Sequence, residues 1–348
     1  MPKGGDCGCR AGKYGSQQNK IIIKKEGGKI AKTAKRKSSG SAIVMEKKIP
    51  FWKFVLHHKG LYLMLLPGLL YFIIFRYIPM AGIVIAFQNY SPFKGIFGSQ
   101  FVGWQNFRNF FRGADFMMLL ENTLGISLLS LVLYFPAPII LSLFLNEIRH
   151  SGYKRVVQTF IYVPHFISWV IVASITYQLL NVNDGIVNMI ITKLTGNPVN
   201  FLGKAKYFKG LIVGQSIWKE TGYGTIIFLA ALAGVDMQLY EAARIDGAGR
   251  WRLMWNITLP SIKGTVIMML ILRIGGLLNT GYEQIFLMRN DLNVKAAEVF
   301  DTYVYMKGIR GAQYSLSTAA GLFKSVVSMI LVLSANWLAK KFGERGIY

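Results

Sequence analysis

The sequence is short of cysteine and of acidic residues. Only two cysteines occur, Cys7 and Cys9, in a chain of 348 residues. One C-x-C pair without further cysteine or histidine nearby cannot complete a tetrahedral metal site. We therefore interpret both cysteines as incidental residues of a basic tail and expect no metal site. The 16 acidic residues are far outnumbered by 40 lysines and arginines.

Motifs of common catalytic and nucleotide-binding sites are also missing. The sequence has no G-x-x-x-x-G-K-[ST] run, so no loop of that kind holds nucleotide phosphates. The four histidines do not follow H-E-x-x-H spacing, and no G-x-S-x-G turn occurs. A membrane enzyme would need a nucleophile with its base, or a metal set. We expect neither catalysis nor a cofactor on this chain.

The composition is typical of a membrane protein. Hydrophobic residues make up 53% and charged residues only 16%, with a mean hydropathy of +0.37, whereas a soluble domain of this size carries more charge. Fifteen of the basic residues lie in residues 1–59. A nucleic-acid patch is one explanation for the net charge of +24. A basic tail beside a first span is more simply an anchor on anionic lipid, so we expect lipid contact and no nucleic-acid partner.

Six apolar stretches are long enough to cross a bilayer, which takes about 20 helical residues. They cover about 61–86, 117–145, 156–180, 208–235, 263–288 and 314–338. The predicted fold is all-α, a polytopic membrane protein with six transmembrane helices. Because lysines precede the first stretch, we expect a cytoplasmic N-terminus. Counting crossings then puts residues 236–262 and the C-terminus in the cytoplasm.

The predicted organisation has four parts. Residues 1–59 form a basic, largely disordered cytoplasmic tail, within which we expect translation to begin at Met45. Residues 60–116 hold the first transmembrane helix and an external aromatic-rich segment. Residues 117–340 form the core domain, and 341–348 a cytoplasmic tail. For residues 87–116 we expect an amphipathic stretch with its rings at headgroup level; a sugar-stacking surface is the alternative.

The most specific pattern lies between the fourth and fifth stretches, where the spacing is EAA-x3-G-x9-I-x-L-P. We expect Asp236 to cap a short helix from Met237 to Ile245, and Gly247 and Gly249 to turn the chain. A second amphipathic piece then runs from Trp251 to Ile257, and Leu259-Pro260 ends it. An exposed two-part helix with small residues suits a groove on another protein. The alternative is a loop that packs on its own bundle.

Polar residues within the apolar stretches predict a solute path, because such side chains usually face the bundle interior or water. A sugar needs hydrogen-bonding amides or carboxylates and aromatic faces. The predicted substrate-path residues are Gln215, Ser216, Trp218, Glu220, Tyr223, Asn279, Tyr282 and Glu283. The alternative is that the charged residues Lys219, Glu220, Arg273, Glu283 and Lys324 only pair with one another or with a second subunit.

The segment EAARIDGAGRWRLMWNITLP resembles the loop of permease subunits in type I ABC sugar importers, the binding-protein-dependent transport family. The resemblance covers roughly residues 115–340. The pieces LPGLLYFIIFRYIPMAGIVIAFQNY, FVGWQNFRNFF and FIYVPHFISWVIV are more narrowly similar to LplB-type permeases, which are associated with poly- and oligosaccharide uptake.

This resemblance implies a function and a set of partners. The chain would be a permease for oligosaccharides or complex sugars in the bacterial plasma membrane. It would form a heterodimer with a second homologous permease and work with two copies of a cytoplasmic ABC ATPase and an extracellular sugar-binding lipoprotein. ATP and Mg²⁺ would bind the ATPase, not this chain. The ATPase-coupling residues would be Glu241, Ala242, Ala243, Asp246, Gly247, Ile257, Leu259 and Pro260. The alternative is an ion-coupled secondary carrier, which would need inverted repeats that the sequence does not display.

Overall fold

The structure is a computed structural model that describes residues 57, 59–343 and 346. Residues 1–56, with Cys7, Cys9, Met45 and most of the predicted basic tail, lie outside the described residues, as do four residues of the predicted tail 341–348. The chain divides into two units after Met64. The packing described below is that of the second unit, Leu65–Tyr348.

The described chain is mostly helical. The longer helices are α1 Lys59–Phe72, α2 Gln105–Arg112, α3 Asp115–Leu129, α4 Pro136–Glu147, α5 Ser151–Tyr162, α6 Trp169–Leu180, α7 Ile186–Thr195, α8 Ala205–Ala233, α9 Met237–Ile245, α10 Lys263–Gly275, α11 Tyr282–Met288 and α12 Tyr314–Lys341. Shorter α-helical pieces are Ile78–Met80, Gly95–Gly98, Arg250–Leu253, Leu259–Ser261, Val294–Ala297 and Phe300–Tyr303. The 3₁₀ segments are Ala81–Phe87 and Val163–Phe166, and the π-helical segments are Ile73–Tyr77, Ser130–Tyr134, Met254–Thr258 and Val304–Arg310. Strands β1 Gln88–Asn89 and β2 Gln100–Phe101 pair antiparallel, with Gln88 opposite Phe101.

Length and hydropathy give three to six membrane spans in the described chain. Three continuous helical stretches qualify alone: Lys59–Phe87, Asp115–Glu147 and Tyr314–Lys341. Three bent pairs qualify together: Ser151–Phe166 with Trp169–Leu180, bent by 97°, Ala205–Ala233 with Met237–Ile245, bent by 72°, and Arg250–Ser261 with Lys263–Gly275, bent by 60°. If each bent pair counts as one span, the number is the predicted six.

A π-helical turn stands just before a proline in three of these spans. The turns Ile73–Tyr77, Ser130–Tyr134 and Met254–Thr258 precede Pro79, Pro136 and Pro260. Proline has no amide proton, and its ring crowds the carbonyl four residues earlier. A wider turn, in which the donor lies five residues on, relieves both problems. The prediction that Leu259-Pro260 ends the second loop helix is therefore wrong, because the helix continues through Pro260 to Ser261.

The fifth span differs from the predicted stretch 263–288. Helix α10 ends at Gly275, and the chain turns through Gly281, whose φ is +86°, before α11 begins at Tyr282. A methyl group at Gly275 would overlap the side chain of Val332, so this glycine permits close approach of α10 and α12. The predicted single helix over 263–288 is wrong, and Tyr282 and Glu283 lie outside the span.

Two ends of the bundle can be distinguished by what they carry. The aromatic end holds residues 88–114, 181–204 and 276–313; there the Tyr90 amide donates to Ser315 Oγ at 2.9 Å, and Asn290 Nδ2 donates to the Leu202 carbonyl at 3.1 Å. The loop end holds residues 148–150 and 234–262. Apolar clusters support both ends: Phe110, Leu119, Leu278 and Phe300 at the aromatic end, and Ile139, Phe228, Met254 and Ile262 at the loop end.

The aromatic-rich segment 87–116 contributes partly to the core. Phe107 and Phe110 are buried, and Phe110 packs against Phe116, Phe300 and Phe323 with ring centroids 5.3 to 6.3 Å apart. Phe93 and Phe97 are fully exposed. The expectation that the rings of this segment lie at headgroup level is wrong for Phe107 and Phe110, because the amphipathic helix α2 turns them towards α12.

Candidate functional site: a protruding loop and a recess between the spans

The protruding loop, residues 236–262, begins with a capped helix. The Asp236 side chain accepts a hydrogen bond from the Gln238 amide at 2.9 Å, which satisfies one of the unpaired donors at the start of α9. The helix runs from Met237 to Ile245, as the sequence predicts. The start of α9, the first arm of the loop, is therefore fixed by the local hydrogen bond to Asp236.

The end of α9 is a Schellman motif built around Gly247. The Ala248 amide donates to the Ala243 carbonyl at 2.9 Å, and the Gly247 amide donates to the Arg244 carbonyl at 3.0 Å. Gly247 has φ +76°, in the left-handed region that favours glycine. Gly249, in contrast, has φ −73° and ψ 167°, an extended conformation that other residues adopt. The turn therefore requires the left-handed backbone of Gly247 and has no such requirement at Gly249.

The second arm, Arg250–Ser261, fixes α9 to the bundle. Tyr240 Oη donates to Thr258 Oγ1 at 3.0 Å, and Thr258 is buried. Leu253 and Met254 are also buried, and Met254 belongs to the apolar cluster of the loop end. The loop is thus a rigid attachment rather than a free connection.

The outer surface of the loop remains uncovered. In the described structure no side chain of α9 is buried; Ile245 is 86% and Trp251 65% exposed. The outer surface of the loop therefore presents exposed apolar side chains beside small residues. Glu241, Ala242, Asp246, Gly247 and Pro260 are exposed, whereas Ala243, Ile257 and Leu259 are half-buried.

Two clefts flank α9. A crevice of about 240 Å³ between the two arms brings together Ala243, Asp246 and Ile257 of the predicted coupling set. A second cleft of about 410 Å³ separates the loop from the end of α4, and its basic lining comprises Arg149, Arg244 and Arg250, with Glu147 as the acidic member. These arginines could not be predicted as one group from the sequence, because only the fold brings the end of α4 beside α9.

A polar recess, here called the span recess, lies between the spans and has a volume of about 240 Å³. Its predicted members are Ser216, Glu220 and Asn279. The members that sequence reasoning missed include Ser127, Ser130, Tyr134, Trp169, Thr280 and Gln284, together with Arg273, which was named only as a pairing candidate. These residues come from the second to fifth spans, from the turn after α10 and, for Gln284, from α11, so no single helix pattern reveals them.

A charged cluster borders the span recess. Glu220 Oε2 lies 2.7 Å from His165 Nδ1, and Glu220 Oε1 lies 3.1 Å from Lys219 Nζ. Lys219 Nζ also donates to the His165 backbone carbonyl at 2.6 Å, at the break between the two halves of the third span. Tyr223 stacks on the His165 ring at 4.0 Å. Lys219 and Glu220 therefore pair with each other, as the alternative interpretation of the sequence predicted for these charged residues.

Gln215 and Trp218 lie on another side of α8. Both line a recess of about 330 Å³ with Val172, Ile175, Thr176 and Leu179. Gln215 is buried; its Nε2 donates to Thr176 Oγ1 at 2.7 Å, and its Oε1 accepts from Gln284 Nε2 at 3.0 Å. Its hydrogen bonds therefore join α6, α8 and α11. Trp218 is half exposed.

Two predicted path residues belong to the aromatic end. Tyr282 packs on Phe286 and Tyr305, with ring centroids 5.2 and 5.1 Å away. Partial burial, and then the neighbouring Tyr305, raise the pKa of Tyr282 above its ordinary value of 10.0, so its hydroxyl stays protonated at neutral pH. Glu283 is exposed.

Lys324 pairs with Asp301, a partner that the sequence analysis did not name. Among the described residues, no three His, Cys, Asp or Glu side chains are close enough together to hold a metal ion.

Comparison with known proteins defines the class. Residues 134–345 match the family described as "Binding-protein-dependent transport system inner membrane component". Protein LplB of Bacillus subtilis (strain 168) is 54% identical over 316 residues, which cover 91% of this chain and 99% of LplB. The polygalacturonan/rhamnogalacturonan transport system permease protein YteP of the same strain is 52% identical over 294 residues, covering 84% of this chain and 92% of YteP.

A solved structure agrees with these relatives. One chain of a bacterial alginate ABC transporter, in complex with an alginate pentasaccharide-bound periplasmic protein, has 38% sequence identity and a TM-score of 0.79, covering 85% of this chain and 99% of that chain. The protein is therefore an ABC importer permease, a membrane protein and not an enzyme. It belongs to the binding-protein-dependent transport system inner membrane component family. The ion-coupled carrier alternative is not retained.

Proposed function

We propose that this chain forms half of the translocation pathway of an ATP-driven importer for oligosaccharides or complex sugars, and that the protruding loop couples it to a separate ATPase. The observation that carries the proposal is the EAA-x3-G-x9-I-x-L-P segment, folded as a capped, rigidly attached helix pair with an uncovered outer surface.

The coupling role falls on the predicted residues of the loop. Glu241, Ala242 and Asp246 are exposed on α9, and Gly247 sets the direction in which α9 leaves the bend. Ala243 and Ile257 line the crevice between the arms, and Leu259-Pro260 continues the second arm towards the membrane. Because α8 leads directly into the loop, a displacement of α9 moves the span that carries Glu220.

The proposed assembly has four kinds of subunit. A second, homologous permease completes a heterodimer, two copies of a cytoplasmic ABC ATPase bind ATP and Mg²⁺, and an extracellular sugar-binding lipoprotein delivers the solute. The family description names binding-protein dependence, and the alginate transporter was solved with a periplasmic protein. Membrane lipid covers the apolar outer faces, such as the exposed side chains of α1.

The proposed orientation puts both termini and the protruding loop in the cytoplasm. An ATPase that uses cytoplasmic ATP must meet the loop on that side. Lys340 and Lys341 end the sixth span in agreement with the charge rule. The four-part division at residues 59, 116 and 340 remains a prediction; the family match covers residues 134–345 of the core.

The proposed substrate path runs through the span recess. Ser216, Glu220 and Asn279 line it, and Tyr223 stacks on the His165 ring beside it. Gln215 and Trp218 face the neighbouring recess, while Tyr282 and Glu283 lie at the aromatic end, where an extracellular solute would enter. The recess is smaller than the 300–1,000 Å³ typical of ligand sites, which fits a path completed by the second permease.

The experiment compares two charge reversals at opposite ends of the bundle. Glu241→Lys changes the outer surface of α9, and Asp184→Lys changes an exposed acid at the aromatic end. After purification of the complete transporter, we expect the ATPase to be lost from the Glu241→Lys complex and retained with Asp184→Lys. Retention of ATPase and normal ATP-driven uptake with Glu241→Lys would refute the coupling role.

A further inference from the structure

Arg273 is a charged residue within the fifth span that lines the span recess. In the part of the chain that the structure describes, no carboxylate lies within ion-pair distance of it, and its guanidinium contacts the Tyr134 ring, 5.1 Å from the ring centroid. A charged residue at membrane depth is costly and is retained where it has a partner or a function. The ring contact orients the guanidinium without neutralising its charge.

The acid of the same recess is already paired. Glu220 is held by Lys219 at 3.1 Å and by His165 at 2.7 Å, so its charge is offset by groups other than Arg273. The recess therefore carries an excess of positive charge. Arg273 would attract an anionic group of a solute, and the charge-paired Glu220 beside it would repel that group only weakly.

The other groups of the recess suit the hydroxyls of a sugar ring. Thr280 Oγ1 is buried and has no hydrogen-bond partner among the described residues, which is an unusual condition for a buried hydroxyl. Asn279 is exposed, and Ser130 supplies a further hydroxyl. An arginine fork matches the two oxygens of a carboxylate.

We propose that Arg273 binds the carboxylate of a uronate unit as an acidic oligosaccharide passes through the span recess, and that it makes this permease selective for acidic over neutral sugars. This inference rests on the proposed function and adds the substrate class and the residue that recognises it.

The test compares an oligogalacturonate with its methyl ester, which has the same rings but no carboxylate charge. The complete transporter, with partner permease, ATPase and binding protein, is reconstituted in liposomes. ATP-driven uptake of both solutes is measured for wild type and Arg273→Gln with saturated binding protein. The ratio of acid to ester uptake in wild type is divided by the same ratio in the variant. The preference of the binding protein cancels, because it is identical in all measurements.

We expect this double ratio to be about 10 to 100, the range for a hydrogen bond to a charged group. Arg273→Lys keeps the charge but loses the fork, so its ratio should change in the same direction by less; it also serves if Arg273→Gln fails to assemble. Arg76→Gln removes an arginine from the first span, outside the span recess, and should give a ratio of one.

Two results would overturn the inference. The first is a double ratio of one for Arg273→Gln, whether uptake of the two solutes stays unchanged or falls equally; an equal fall indicates that Arg273 pairs within the protein or with the second permease. The second is ATP-driven uptake of the ester but not of the acid by wild type. In each case ATP-driven uptake by wild type still supports the proposed function. Absence of ATP-driven uptake of any oligosaccharide by wild type would instead refute the proposed function itself.

Discussion

Gly247→Ala tests the physical basis of the bend in the protruding loop. Gly247 has φ +76°, and within the described structure no atom outside its own neighbourhood lies within 4 Å of the position that a Cβ would take. The substitution therefore introduces backbone strain without a steric clash. A left-handed conformation costs an L-residue about 1–2 kcal/mol, and the lower entropy of the unfolded chain with alanine offsets about 0.4–1 kcal/mol.

The net destabilisation of the bend should be about 1 kcal/mol, which corresponds to about fivefold in its opening equilibrium. Hydrogen exchange measured by mass spectrometry on peptides covering residues 242–249 reports this directly, because the amides of Gly247 and Ala248 donate the two closing bonds. We expect about fivefold faster exchange there. If the ATPase binds only the closed bend, its apparent affinity falls by a factor no larger than that.

Gly249→Ala is the matched control, because Gly249 has an ordinary extended conformation and the described structure leaves its Cβ position open. In the Gly249→Ala variant, the amides of residues 242–249 should exchange at the wild-type rate. Gly247→Asn should lie between wild type and Gly247→Ala, since asparagine tolerates the left-handed region better. Equal exchange in Gly247→Ala and Gly249→Ala would refute this account of the bend.

Three further predictions concern the supports of the loop and of the bundle. Asp236→Ala removes the cap of α9 and should destabilise that helix by about 1 kcal/mol, seen as faster exchange of the Gln238 amide; unchanged exchange would contradict the cap. Tyr240→Phe removes the hydrogen bond to buried Thr258 and should loosen the loop by about 1 kcal/mol, detected as increased proteolysis within residues 236–262, whereas wild-type resistance would show that the bond contributes little. A methyl group at Gly222 would overlap the Ile161 carbonyl, so Gly222→Ala should destabilise the protein by about 1–3 kcal/mol or more. Gly214→Ala on the same helix is the control, because its methyl group meets open space within the described structure. Equal melting temperatures of the two variants in detergent would contradict the close packing at Gly222.

The loop was the most predictable part of the structure. Its signals are local: Asp236 lies one residue before the helix, and Gly247 lies two residues after it. Cap and turn preferences act through the nearest backbone atoms, so the bounds Met237–Ile245 could be predicted without knowledge of the fold. The role of Pro260 was not predictable in this way, because the π-helical turn Met254–Thr258 absorbs the proline within the helix.

The span recess was predicted only in part. Ser216 and Glu220 follow from helical spacing on one span, but Tyr134, Trp169 and Arg273 come from three others. Their meeting depends on long-range packing, including the 97° bend of the third span beside His165. Phe107 and Phe110 show the same limit: a pattern identifies an apolar face, but only the fold decides whether lipid or the core covers it.

The most direct test of the central claim is uptake of a radiolabelled oligogalacturonate into liposomes that hold the complete transporter. We expect uptake that requires ATP and the binding protein, disappears with Glu241→Lys, and persists with Asp184→Lys. Uptake driven by an ion gradient without ATP, or ATP-driven uptake unaffected by Glu241→Lys, would contradict it.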